Sequence, residues 1–174
     1  VDFGTLSVRA LVVNVANGQE LSFASFDYPH AVMTEQLPNG VILQNDWAQQ
    51  HPQDYVDGLS AVISEALEQS GIDKKDVIGI GIDFTSSTSL PVDRDGSPLC
   101  LKAEFAANPY AWPMLWKHHA AQSYANRMTE VALARNESFL ERCGGRISSE
   151  MMFPRLWQIA VEAPDVYEAA ERFV

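Results

Sequence analysis

The chain has 174 residues, 47% hydrophobic and 20% charged, enough for a globular unit with a sizeable core. Twelve Lys and Arg against 23 Asp and Glu leave a formal charge of −11 and no basic tract, which argues against nucleic acid or an anionic membrane as a partner. No apolar run approaches the roughly 18–20 residues of a membrane span and none resembles a signal peptide; Cys100 and Cys143 stand far apart without CxxC spacing, as free thiols of a cytoplasmic protein would.

In chain order, the opening VDFGTLSVRALVV sets Asp2, Gly4, Thr5, Ser7 and Arg9 around one tight turn between strands. Val1 stands where Met would begin a chain, so the first strand is expected to start before it. Gly4 permits a backbone approach that a side chain would block. Thr5 and Ser7 offer hydroxyls and amides to phosphate oxygens, and the Asp2 carboxylate suits Mg2+, usually through water. Arg9 could neutralise phosphate charge or face solvent. By spacing alone, the same residues also read as a glycine turn with polar decoration. Neither the lysine-bearing phosphate loop nor the dinucleotide fingerprint occurs in the chain, nor does a short-range His/Cys metal cluster.

Residues 8–15 read as a strand, Asn17-Gly18 as a two-residue hairpin turn, and ELSFASFDY as the partner strand, with Leu21, Phe23 and Ser25 on one face. Residues 29–50 look irregular. Pro52 opens a helix, with His51 at its start, Tyr55, Leu59, Val62, Ile63, Ala66 and Leu67 at helical spacing, and Gly71 suited to end it. VIGIGI at 77–82 has the continuous apolarity of a buried central strand, and helix followed by strand predicts a crossover onto a mixed sheet. The polar stretch DFTSSTS at 83–89 then lies at a strand's carboxyl end, where open α/β sheets place ligands; Phe84 is expected in the core.

LPVDRDGSPLC reads as a second hairpin. Helices are expected from Pro113 to Arg135, from an N-cap at Ser149 with Pro154 in the first turns, and from Pro164. Trp47, Trp112 and Trp157 are assigned to packing. His118 and His119 lack the i,i+4 spacing of a helical ligand pair and read as surface or supporting residues.

Taken together, DFGTLSVRA, DWAQQHPQDY, GIGIDFTSSTSLPVDRDGSPL, NPYAWPMLWKHHAA and ISSEMMFPRLWQI, in that order and over essentially the whole chain, resemble the amino-terminal lobe of an FGGY-type carbohydrate kinase. DFTSST…LPVD and LWKHHA set the chain apart from glycerol, xylulose and gluconate kinases and towards members that phosphorylate ribulose. The resemblance implies an α/β fold, a ribonuclease H-like lobe of the actin and hexokinase type with a mixed sheet and flanking helices. Residues 1–174 would be a partial first, sugar-binding lobe of a two-lobe enzyme that uses ATP and Mg2+. It further implies Gly4, Thr5, Ser7 and Arg9 at the ATP phosphates and Asp2 at the metal. Thr85, Ser86, Ser87, Trp116, Lys117, Glu150 and Arg155 would face the sugar.

The chain departs from the family pattern at Met151, where Trp is usual, and at Arg155, where Lys is usual; a rigid fork replaces a flexible point charge. The resemblance places the catalytic aspartate and the second lobe beyond residue 174. No catalytic residue is therefore assigned here, and residues 1–174 alone are expected to be inert. Asp83 is expected to hydrogen-bond its loop or line the magnesium region. The implied partners are a small sugar and the rest of the polypeptide, with a homo-oligomer left open. Competing readings are another pentose or polyol kinase, an acetate-kinase-like or sugar-sensing protein, and a non-catalytic interaction domain.

Overall fold

Strand-forming and helix-forming stretches alternate along the sequence. In the computed structural model, which describes residues 1–174, they sort into two compact units. One comprises Val1–Val32 and His51–Thr85, the other Met33–Gln50 and Ser86–Val174.

The first unit is built on β2 (Ser7–Asn14) and β3 (Gln19–Asp27), an antiparallel pair. Strand alternation turns Val8 and Ala10 inward and Arg9 and Leu11 outward. The hairpin closes through residues 15–18, a longer loop than the expected two-residue turn; Gly18, at φ +73°, donates its N–H to the Asn14 carbonyl at 2.8 Å. On β3 the inner face carries Ala24 and Phe26, so Phe23 lies on the outer face. β1 (Asp2–Phe3) adds antiparallel to β2, and β4 (Asp83–Phe84) adds parallel to β1, giving the mixed order β3-β2-β1-β4.

Helix α1 (Pro52–Ser70) covers the inner face. Pro52 occupies its first turn, His51 Nδ1 accepts from the Gln53 N–H as an N-cap, and Gly71 closes it in the left-handed region at φ +68°. Val62 and Ala66 join Val8, Ala10 and Ala24 in the core.

The VIGIGI stretch is not the buried strand its apolarity predicts: Ile78 and Ile80 are 80% and 64% exposed, and Phe84 is 68% exposed. The stretch forms no ladder; pairing starts only after it, at β4, the edge strand of the order, and its side chains stay open. Continuous apolarity reports what a segment is suited to bury against, and nothing within these residues covers it.

The second unit begins as a series of single antiparallel bridges, Met33 with Gln49, Gln49 with Met114, and Met114 with Ser89. The turn of the expected hairpin forms at Asp93–Ser97, with Gly96 at φ +81°, but its arms meet only in the single bridge Val92–Pro98, and β5 (Pro91–Val92) pairs instead with β6 (Arg172–Phe173). Four helices follow: α2 (Gln122–Ala134), α3 (Phe139–Arg142), α4 (Met152–Glu162) and α5 (Pro164–Ala169). Leu37, Trp47, Leu99, Trp112, Met114 and Ile159 form the centre of its core.

α2 starts nine residues after the expected Pro113. The Met114 N–H and carbonyl are both committed to Ser89, and the Leu115 N–H to the Ala48 carbonyl, so this backbone serves the bridges rather than a helix. Ser149 does not cap α4; it is buried, with Oγ donating to Gln122 Oε1 at 2.9 Å. Both cysteines are free thiols, and burial pushes Cys100 up to about 12. No helix is long and apolar enough to cross a membrane.

Candidate functional site

In the first unit, strand register brings three charged side chains into one row. Asp2 pairs with Arg9 across β1 and β2 and with Asp83 across β1 and β4, so all three project from the same face. Arg9 Nη2 donates to Asp2 Oδ2 at 2.5 Å, with both side chains about half exposed. An ion pair this wet contributes little to stability. What it does is orient a carboxylate and hold a cation next to it. Asp83 Oδ1 accepts from the Phe84 N–H at 2.9 Å, which orients this carboxylate in turn, as the sequence suggested.

Between β1 and β2 the chain turns at Gly4, whose N–H donates to the Ser7 carbonyl at 2.8 Å. A Cβ at Gly4 would lie 3.1 Å from that carbonyl and 3.4 Å from Arg9 Nη2, so a side chain there would push the turn apart by a few tenths of an ångström. Thr5 and Ser7 sit on this turn, and the Thr85 N–H is tied to the Phe3 carbonyl at 3.1 Å. The first unit thus gathers Asp2, Gly4, Thr5, Ser7, Arg9 and Thr85 around one end of its sheet. Two oriented carboxylates on one face match the donor set of a hard, hydrated cation such as Mg2+.

The remaining candidates belong to the second unit, the chain crossing from one unit to the other between Thr85 and Ser86. Trp116 follows the bridge residue Met114 and the buried Leu115, which anchor its backbone, while the residue itself is 37% exposed. Lys117 Nζ lies 5.4 Å from the centroid of the Trp116 ring, a cation–π distance. Glu150 is exposed, and its N–H is held by Ser148 Oγ at 3.2 Å.

Arg155, which the resemblance places facing the sugar, has its side chain turned into the protein. It is fully buried in α4, and its guanidinium donates to main-chain carbonyls. Nε reaches Ser149 at 3.1 Å; Nη1 reaches Met114 at 3.0 Å and also Ser87; Nη2 reaches Glu150 and, at 3.5 Å, Trp116. A planar five-donor fork fits this arrangement. Burial pulls its pKa down to about 10, so it stays charged at neutral pH, balanced by carbonyl dipoles rather than by a buried acid. Ser87, one of its acceptors, has a left-handed backbone at φ +60°.

His118 is likewise not a surface residue. It is buried against Trp47 in an edge-to-face contact at 4.8 Å, with Nδ1 facing the Ala48 N–H at 3.5 Å. Burial first, and the Arg155 charge second, lower its pKa to about 4, so the ring is neutral. Nothing in a His-His doublet distinguishes this ring from an exposed one.

The fold also collects His30, His51 and Asp54, ligand-type groups within 4.8 Å of one another that the spacing did not reveal. Their geometry is that of a capped helix start: His30 Nδ1 lies 2.7 Å from Asp54 Oδ1, the His30 N–H donates to Oδ2 at 3.1 Å, and the imidazoles stack at 4.1 Å with planes 15° apart. Near-parallel rings send their in-plane lone pairs side by side rather than to a common point.

Residues 1–174 match the model of the FGGY family of carbohydrate kinases, N-terminal domain. The chain is 50% identical to a ribulokinase from Halalkalibacterium halodurans over 175 aligned positions, which cover all of this chain and 31% of that protein. It is also 50% identical to a ribulokinase from Mycolicibacterium smegmatis over 100% of this chain and 31% of that one. The chain therefore spans about a third of the length of these relatives. Among solved structures, a xylulose kinase from Rhodospirillum rubrum superimposes with TM-score 0.72 at 20% identity, and a gluconate kinase from Lactobacillus acidophilus with 0.75 at 14%; each match covers 99% of this chain and 30% of the other.

Proposed function

Because the chain belongs to the FGGY family of carbohydrate kinases, we propose that the protein containing it is a ribulokinase. It transfers the γ-phosphate of ATP to the 5-hydroxyl of a ketopentose, ribulose foremost. The observation that carries the substrate is the 50% identity to ribulokinases over the full length of the chain, against 14–20% for the xylulose and gluconate kinases whose fold it shares.

On this reading the turn residues Gly4, Thr5 and Ser7 offer amides and hydroxyls to the transferred phosphate, and Arg9 supplies positive charge there. Asp2, with Asp83 beside it in register, would hold Mg2+ through water; bound there, the ion neutralises charge on the phosphates. Thr85, Ser86, Ser87 and Glu150 hydrogen-bond the sugar, and Trp116, steadied by Lys117, packs against its carbon face. In the transfer, the sugar oxygen bonds to the γ-phosphorus as the bond from the β–γ bridging oxygen to that phosphorus breaks and ADP departs. The hydroxyl proton goes to a carboxylate outside residues 1–174. The chain's own share is positioning and electrostatics.

The test is ATP-dependent phosphorylation by the complete gene product of ribulose, xylulose, ribitol and arabitol. Ribulose is expected to give the highest kcat/KM, and the product's phosphorus resonance to couple to the C5 protons. A preference for ribitol over both ketoses would overturn the substrate, and turnover of none of the four would overturn the kinase.

A further inference from the structure

We propose that Arg155 is a positioning residue that fixes the shape of the sugar wall from behind, without touching sugar. The observation is the set of carbonyls it binds. Ser87, Trp116 and Glu150 are residues read above as facing the sugar, and they lie on three segments far apart in the chain. Arg155 holds these residues by their main chain. Met114, its fourth acceptor, is the bridge residue that anchors the Trp116 segment, and Ser149, the fifth, precedes Glu150.

One rigid group therefore sets the spacing between the loop at 86–88, the segment at 114–116 and the turn at 149–150. Ser87 shows the effect locally, because its carbonyl direction follows from a left-handed backbone that a non-glycine residue adopts at some cost. A hydrogen bond from a buried cation is what holds it. Lysine could not span the same acceptors: it brings three donors on one atom, where the guanidinium brings five in a plane. This assignment rests on the sugar-kinase reading for its consequence, but its structural half stands alone, and the experiment separates the two.

Arg155→Lys and Arg155→Met are made in the complete gene product, and both Michaelis constants and backbone amide exchange are measured. In Arg155→Lys the KM for ribulose is expected to rise about threefold to tenfold, and in Arg155→Met further, while the KM for ATP stays within about twofold. Amides at 86–89 and 115–118 are expected to exchange at least about tenfold faster, with those of α1 unchanged. Should Arg155→Met fail to fold, Arg155→Lys decides. An unchanged ribulose KM with unchanged exchange overturns the proposal. Parallel rises in both KM values with faster exchange throughout also overturn it, since that is a structural loss alone. If the wild-type protein phosphorylates no sugar, the kinase reading has failed, and the exchange pattern by itself still confirms or refutes the positioning role.

Discussion

Protonating His118 would add a second cation to the interior that already holds the Arg155 guanidinium. Its folded pKa, about 4, lies below the ordinary 6.5. Above pH 6.5 the ring is neutral folded or unfolded and pH has no leverage on it. As pH falls from 6.5 towards 4, the unfolded chain takes up a proton that the folded chain refuses, so stability drains away across that window. Between pH 7 and pH 4.5 this amounts to roughly 2–3 kcal/mol. Urea unfolding of the purified chain at those two pH values should show a loss smaller by about that amount in His118→Gln than in the wild type. Equal losses would show that His118 is not the group being titrated. Neither His118 nor Arg155 was legible in the sequence as what it is. Each depends on partners 39 or more positions away, and a one-dimensional pattern records the charge but not the direction in which it points. The turn at Gly4 was legible, because its constraint is local.

Elements followed the same rule. α1 could be read end to end, since a proline at its start and a glycine past its end act through the backbone of their immediate neighbours. What could not be read is how closely it packs. Gly58 sits where a Cβ would meet Val8 Cγ1 at 2.5 Å and Phe26 Cδ1 at 2.9 Å, and Val8 is fully buried with no room to yield. Overpacking of this kind costs about 1–3 kcal/mol, against roughly 1 kcal/mol gained by removing a helical glycine. Gly58→Ala is thus expected to lower stability by up to about 2 kcal/mol, seen as a fall in denaturation midpoint at constant m-value. A rise in midpoint would mean that helix and sheet are farther apart than described. The failures at 77–82 and 113–121 have a common cause. Apolar periodicity reports suitability for an element, whereas the outcome there was decided by a sheet edge in one case and by backbone hydrogen bonds to Ser89 and Ala48 in the other.

At the scale of the molecule, the candidate residues divide as the chain does. Asp2, Gly4, Thr5, Ser7, Arg9 and Thr85 are on the first unit, and Ser86, Ser87, Trp116, Lys117 and Glu150 on the second. The fold class and the family were legible because they depend on the order of five motifs along the whole chain. This division was not, because both units are assembled from two separate stretches of sequence. It gives the proposed function its most direct consequence: the turn residues Gly4, Thr5, Ser7 and Arg9 act on the phosphate, and Trp116, Lys117 and Glu150 on the sugar. The measurement is the pair of Michaelis constants, for ATP and for ribulose, of Trp116→Ala and Ser7→Ala in the complete gene product. Trp116→Ala should raise the ribulose KM about tenfold or more, equivalent to at least ~1.4 kcal/mol, and leave the ATP KM within about twofold. Ser7→Ala should do the reverse, raising the ATP KM while the ribulose KM holds. Both substitutions moving the same constant, or Trp116→Ala leaving ribulose affinity intact, would contradict the account.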